Sequence, residues 1–222
     1  MAAARRHPVV PLEAGSGPEN PPCPACGEPL FGWIDRRPGL AGPVSRCESC
    51  GLGVVDPPGD PEDALRELDR QSASAALYPR YRRIKRSGRV MVLNRGGFAA
   101  WIGGAGWAGL EPGARYLFTV ESARRLVARR DQVVKSARWA PGAGIAVTWQ
   151  TILNGFTFGR NIALGALGRA TAVPAEKPWQ RRLDSFVTVV VTIPALLAAV
   201  PIELIAAALR HGAATTLRFE LL

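Results

Sequence analysis

Two short stretches decide the fold: Cys23-Pro24-Ala25-Cys26-Gly27 and Cys47-Glu48-Ser49-Cys50-Gly51, which hold all four cysteines of the 222-residue chain. Two residues lie inside each cysteine pair, and about twenty residues separate the pairs. This is the spacing of a tetrahedral four-thiolate site, because a tight turn across two residues aims both sulfurs at one metal ion. The glycine after each second cysteine gives the backbone the freedom to fold back. The pattern predicts a zinc ribbon over residues 22–56, with Cys23, Cys26, Cys47 and Cys50 as ligands.

Two other interpretations of these cysteines stay open, namely two redox pairs and an iron site of the rubredoxin kind. A redox pair usually sits at the start of a helix, and Pro22, Pro24 and Pro29 disfavour a helix here. Four thiolates leave no coordination position for water or substrate, whereas catalytic zinc keeps one open. We therefore expect structural zinc, which supplies folding energy to a ribbon too small for a core of its own.

Length, charge and cysteine usage bound the remainder of the chain. Its 222 residues are enough for one ordinary domain and a small module. The formal charge of +10 allows an anionic partner without naming one. Residues 1–21 lack the apolar core of a secretory signal and predict a disordered tail. Cysteines at metal spacing suit a reducing compartment, so we expect a cytoplasmic protein.

Residues 57–80 predict a linker with one helix, followed by a basic and aromatic run. Asp60 suits a helix N-cap, Pro61 suits the first helical position, and the helix is predicted to end near Ser72. Tyrosines and arginines then alternate from Tyr78 to Arg89, and such a run can track a phosphate backbone. Because no nucleic-acid motif accompanies it, we interpret the run as a solvated helix face. Nucleic acid is not supported beyond the net charge.

Hydrophobic patterns predict most of the later elements. We expect strands at Arg89–Asn94, Asp131–Ala137 and Thr215–Leu222, and a helix at Val120–Arg130 capped by Thr119. Residues 139–179 are interpreted as irregular, with a helix near 147–153. The glycines from Gly104 to Gly109 match the dinucleotide-binding fingerprint in letters only, because no helix can start in register after them. We expect no cofactor there.

The stretch from Ser185 to Leu209 is apolar and long enough to cross a bilayer. Arg181 and Arg182 precede it, and they would keep the N-terminal side cytoplasmic if the segment spans. Its prolines and its single acid, Glu203, disfavour spanning, because an isolated carboxylate in lipid is costly. The alternatives of a membrane span and a buried or membrane-surface helix both stay open.

One part of the chain resembles a known family. The run VLN followed by WIGGAGWAGLEPGARYLFTVESARRLVARR resembles the C-terminal half of class I S-adenosylmethionine-dependent methyltransferases, many bacterial members of which carry an N-terminal ribbon. The features that match are Asn94 at the end of the fifth strand, the glycine-rich loop Gly104 to Trp107, and Phe118-Thr119 opening a helix. The resemblance covers the ribbon and about Tyr81 to Leu222. It implies an α+β chain in which residues 81–222 form a partial Rossmann-like remnant of about three strands, the last strand lying antiparallel between the other two.

The resemblance also implies what this chain lacks. The family's cofactor site lies in the first half of the fold, but only about thirty residues separate Cys50 from Tyr81. Gly113, Ala114 and Arg115 stand where the family has a basic-plus-histidine pair. We therefore expect no catalytic residue, no cofactor-binding residue and no S-adenosylmethionine site, although the question of enzymatic activity stays open.

These features predict a non-catalytic, ribbon-bearing methyltransferase relative that acts by protein or membrane-surface interaction. Two alternatives are a single-pass membrane-anchored ribbon protein and a methyltransferase that is active only with a partner subunit. The edge of the strand at 89–94 would be open for pairing with another protein or a second copy of this chain.

Overall fold

A computed structural model of the chain describes residues 20–34, 42–55, 58–75 and 87–221. It is a mixed α and β structure. The strands are β1 (Leu30–Ile34), β2 (Val44–Cys47), β3 (Gly53–Val55), β4 (Ser87–Leu93), β5 (Tyr116–Leu117), β6 (Gln132–Trp139) and β7 (Ala214–Leu221). The helices are α1 (Pro61–Ala75), α2 (Phe98–Gly103), α3 (Val120–Ala128), α4 (Pro141–Asn154), α5 (Ile162–Ala166) and α6 (Pro178–Ala208).

The ribbon forms an antiparallel sheet in the order β1-β2-β3-β5. Its fourth strand is contributed from far along the chain, because Gly53 pairs with Leu117 and Val54 pairs with Tyr116. Gly53 permits this approach, since a Cβ there would stand 3.1 Å from the Leu117 side chain. The ribbon sheet is thus completed by a segment outside residues 22–56.

A second sheet has the order β4-β7-β6, and β7 is antiparallel to both neighbours. This strand order agrees with the order that the resemblance implies. The three strands begin and end within two residues of the predicted bounds. In the described part of the chain β4 pairs only with β7, so β4 lies at an edge of this sheet.

The two sheets share one hydrophobic core. It joins the ribbon cysteines and Leu52 to α1, α3, β4 and β7 through a set of buried apolar side chains, among them Leu65, Leu68, Val90, Phe118, Leu126 and Leu217. The helix predicted after Asp60 is present, and the Asp60 carboxylate accepts the Asp63 backbone N–H at 2.7 Å. Thr119 caps α3 as predicted, and its side-chain oxygen accepts the Ser122 backbone N–H.

The helix predicted near 147–153 is present as part of the longer α4, whereas the irregular interpretation of residues 139–179 is wrong for the start of α4 and for α5. Glycine there marks close helix packing, since a Cβ on Gly144 would collide with the Glu203 carboxylate of α6. Helix α6 begins at Pro178, before the predicted Ser185, and it continues through Pro194 and Pro201. The predicted tail at residues 1–21 lies almost wholly outside the described residues, and so does the basic and aromatic run from Tyr78 to Arg86.

Candidate metal centre and apolar surface

The four cysteines that the sequence predicts as ligands lie together, with all four sulfur atoms within 4.8 Å of one another. The Cys23 and Cys50 sulfurs are 3.6 Å apart, and the Cys26 and Cys47 sulfurs are 3.4 Å apart. Four thiolates around one zinc ion at about 2.3 Å lie about 3.8 Å from each other. The donor set and its spacing therefore fit a tetrahedral thiolate-bound metal ion.

Both cysteine pairs use the same backbone turn. Gly27 donates its N–H to the Cys23 carbonyl, and Gly51 donates its N–H to the Cys47 carbonyl. Both glycines have positive φ, at 83° and 73°, a conformation that a side chain disfavours. A second bond closes each turn, from Cys23 N–H to the Glu28 carbonyl and from Cys47 N–H to the Leu52 carbonyl. The repeated C-x-x-C-G motif thus folds into two equivalent knuckles that face one centre.

The close sulfur pairs shift each other's pKa values. The pKa of Cys23 is lowered to about 5, mainly because the Cys50 side chain hydrogen-bonds to its thiolate. The same hydrogen bond raises the pKa of the Cys50 thiol, and burial raises the pKa of Cys26. A bound cation would replace these protons, because only the thiolate form is a ligand.

Helix α3 holds both knuckles, a role that the sequence analysis missed. The Thr119 hydroxyl donates to the Cys50 carbonyl at 2.6 Å while it caps α3. The Arg125 guanidinium donates to the Ser49 hydroxyl at 3.0 Å, and the Arg129 guanidinium donates to the Ala25 carbonyl at 3.2 Å. Both arginines reach the ribbon from the polar side of α3. No local pattern in the sequence indicates that this face meets the ribbon.

The acid of the apolar stretch is satisfied inside the fold. Glu203 is fully buried, and its carboxylate accepts the Trp139 indole N–H at 2.9 Å, the Thr148 hydroxyl at 2.8 Å and the Ala213 backbone N–H at 2.8 Å. Near the start of α6, the buried Asp184 carboxylate accepts the backbone N–H groups of Phe158 and Gly159. One feature of the sequence indicates this buried position: Glu203 lies between small residues at helical spacing, as on the packed side of a helix. Its carboxylate is therefore no obstacle to contact between the opposite face of α6 and lipid.

The opposite face of α6 is apolar and exposed to solvent. One side of the helix packs along α4 and carries small buried residues, namely Ala195, Ala199 and Ala206. The other side exposes large apolar residues, which we call the apolar face of α6: Phe186, Val189, Val190, Ile193, Leu196, Leu197, Val200, Leu204 and Ile205. Val189 is 76% exposed and Leu197 is 70% exposed. By length and composition α6 is the helix of the described chain that could cross a membrane, and only 22% of its most apolar 18-residue window is buried.

Aromatic and cationic residues lie at both ends of α6. The Trp179 and Phe158 rings are both exposed and meet edge to face at 5.4 Å near its N-terminus. The exposed helix α2 lies near its C-terminus, since the His211 carbonyl accepts the Phe98 N–H. The exposed charged residues from 155 to 212 are five cations and one acid, namely Arg169, Lys177, Arg181, Arg182, Arg210 and Glu176. An apolar face flanked by cations and aromatic rings suits the surface of a bilayer.

The last glycine of the fingerprint-like stretch has a packing role. Gly104–Gly106 forms a single 3-10 turn, and the following Trp107 is buried. A Cβ on Gly109 would stand 2.4 Å from the Trp107 ring. Gly109 therefore makes room for the indole, whereas a Cβ on Gly104 would meet nothing within 4 Å.

Comparisons with protein-family models, with curated proteins and with solved structures found no match for this chain.

Proposed function

We propose that this chain is a zinc-stabilised, non-catalytic protein that binds the surface of a membrane through the apolar face of α6. One observation carries the proposal: α6 exposes a continuous row of large apolar side chains while both of its carboxylates are bonded inside the fold. A soluble protein rarely leaves so many neighbouring apolar residues in water. Burying them in the interfacial layer of a bilayer is favourable by about 25 cal/mol per Å².

The contacts of α6 support surface binding over a transmembrane span. Asp184 ties its first turns to the loop at Phe158, and Glu203 ties its last turns to α4 and to the residue before β7. The Trp149 indole adds a bond to the Thr192 carbonyl midway along the helix. A span would break these contacts and leave the carboxylates and their donors without partners in hydrocarbon, at a cost of several kcal/mol. A helix held along its length can still lie flat in the interface with its free side toward lipid.

We also propose that the chain is a shortened relative of class I methyltransferases. The β4-β7-β6 order with a central antiparallel β7 supports this proposal, together with the helix that Thr119 caps. The cofactor half of that family has no counterpart between the ribbon and β4 in the sequence, so the proposed role is binding rather than methyl transfer. The zinc ribbon then serves to stabilise the fold.

Flotation of the purified protein with neutral phosphatidylcholine vesicles tests the membrane proposal. We expect the protein to float with the vesicles and the double variant I193K/L197K to stay at the bottom, because two lysines on the apolar face oppose its burial in lipid. The matched control is A128K/A137K, which adds the same charge at exposed positions on α3 and β6 and should float normally.

Extraction with alkaline carbonate separates surface binding from a span. We expect the membrane-bound protein to be released by the carbonate wash. Retention in the pellet would support the single-pass alternative. A protein that fails to float with vesicles at all, while properly folded and metal-loaded, would overturn the membrane proposal.

A further inference from the structure

Four side chains form an unusual group beside α2, which we call the arginine–tryptophan cluster: Trp33, Arg46, Arg95 and Trp107. The Arg95 guanidinium carbon lies 4.3 Å from the centre of the Trp33 ring and 5.9 Å from that of Trp107. The Arg46 guanidinium carbon lies 5.5 Å from the same Trp33 ring. Three separate elements, β1, β2 and the β4–α2 loop, therefore bring two cations to one indole.

Among the described residues, no acid balances the positive charge of this cluster. Within the described ranges, no carboxylate lies at ion-pair distance from Arg46 or Arg95. Arg95 is half-buried, and its pKa is lowered to about 10 by burial and then by the charge of Arg46. Cation–π contact offsets part of this cost, but two like charges near one ring still repel each other. A bound anion would relieve both the burial cost and the repulsion.

The cluster adjoins an exposed apolar helix. Arg95 is followed within three residues by α2, whose outer side exposes Phe98, Trp101 and Ile102. Trp101 is 75% exposed, and its ring stacks on that of Phe98 at 5.6 Å. The inner side of α2 packs against α4 and α6. Two arginines that have no acidic partner among the described residues thus lie beside exposed apolar rings, next to the helix for which we propose membrane contact.

We propose that the arginine–tryptophan cluster binds the phosphate of an anionic phospholipid, and that the exposed side chains of α2 contact its acyl chains. This inference rests on the proposed membrane association and adds a preference for lipid charge. Both parts of the site match an anionic phospholipid, because guanidinium groups pair well with phosphate and because Trp and Phe favour the headgroup level of a bilayer. A nucleic-acid strand fits less well, because base stacking needs free ring faces, whereas Trp107 is buried and Trp33 is covered by guanidinium groups.

Vesicle flotation with two lipid compositions tests the preference. One set of vesicles is pure phosphatidylcholine, and the other contains a quarter phosphatidylglycerol. We expect the wild-type protein to favour the anionic vesicles and the double variant R46Q/R95Q to lose about fivefold per arginine in that preference. The control R124Q/R218Q removes the same charge at exposed positions on α3 and β7 and should keep the wild-type preference.

This design separates the two proposals. Binding of every arginine variant to neutral vesicles should match the wild type, since the apolar face of α6 is unchanged. Failure of the wild type on neutral vesicles would count against the proposed function, whereas an unchanged preference of R46Q/R95Q for anionic vesicles would overturn the lipid-phosphate site alone. The single variant R46Q guards against misfolding, because Arg46 is exposed, and it should lose about half of the effect on a logarithmic scale.

Nuclear magnetic resonance of the indole N–H groups tests the site without vesicles. Dihexanoylphosphatidylglycerol, added below its micelle concentration, should shift the Trp33 indole signal in a saturable way, and R46Q/R95Q should abolish that shift. The W33F variant assigns the signal. An equal response to inorganic phosphate at the same concentration would overturn the lipid assignment. Saturation by a single-stranded RNA oligonucleotide in the absence of any lipid response would overturn it as well.

Discussion

Glu203 shows how a single carboxylate fixes an apolar helix to the fold. Its Oε1 atom accepts the Trp139 and Ala213 N–H groups, and its Oε2 atom accepts the Thr148 hydroxyl. Glu203→Ala would leave three buried donors without partners, at about 1–3 kcal/mol each before relaxation. We expect the free energy of unfolding to fall by about 3 kcal/mol or more, measured by urea denaturation.

The conservative variant gives the matching control at this residue. Glu203→Gln keeps one oxygen for the two N–H donors, and its amide can donate to the Thr148 hydroxyl, which can rotate to accept. We expect it to cost less than about 1 kcal/mol, as for other isosteric replacements. Glu176→Ala, which removes an exposed acid near the start of α6, should have no measurable effect. Equal stability of the Ala and Gln variants would contradict this account of Glu203.

Helix α3 is the element through which the ribbon and the second sheet support each other. Thr119→Ala removes the cap of α3 and the bond to the Cys50 carbonyl, so we expect a loss of about 1–2 kcal/mol. If α3 holds the second cysteine knuckle, the metal affinity of Thr119→Ala should fall together with its stability, by about 5- to 30-fold in a competition titration with a chelator. Thr119→Ser keeps the hydroxyl and should behave nearly as the wild type, and Thr171→Ala is an exposed control. A destabilised Thr119→Ala protein with unchanged metal affinity would disprove the coupling.

Local patterns in the sequence predict where the strands and helices lie better than they predict which elements contact each other. The cysteine spacing, the Thr119 cap and the alternation from Thr215 onward each depend on a few neighbouring residues, and the corresponding elements are present. The pairing of Tyr116–Leu117 with β3 joins residues about sixty apart, and a two-residue strand carries no periodic signal. The inward bonds of Glu203 were not predicted either, because composition alone counts an acid in an apolar stretch as a cost, and the small residues at helical spacing around it indicate a packed face without naming its hydrogen-bond donors.

We expect the whole fold to depend on a metal ion bound by the cysteines, because one core includes the cysteines and both sheets. Structural zinc contributes about 10–16 kcal/mol in small thiolate sites. That range meets or exceeds the total stability of a typical domain, about 5–15 kcal/mol. We expect a strong chelator to abolish the near-ultraviolet circular dichroism of the buried aromatic residues and the helical signal together.

Zinc analysis of the purified protein and re-addition of zinc after chelation complete this test. The purified chain should hold one zinc ion, and replacing Cys23 and Cys50 together with serine should reproduce the chelated state. Adding zinc back should restore both spectral signals to the chelated wild type, but not to the serine variant. Chelation that leaves the helical signal intact would mean that the ribbon and the second sheet fold independently.

The position of β7 in its sheet has a consequence for synthesis on the ribosome. The strand that joins β4 to β6 comes after α6 in chain order, so neither neighbour has its partner while α6 emerges. The donor from Ala213 that completes the Glu203 site emerges after α6 as well. During that interval α6 can already pack on α4, which precedes it, but the bond from Ala213 to Glu203 has not yet formed. The order of the chain thus makes β7 the last element to arrive, and its arrival completes both the second sheet and the hydrogen bonds of Glu203.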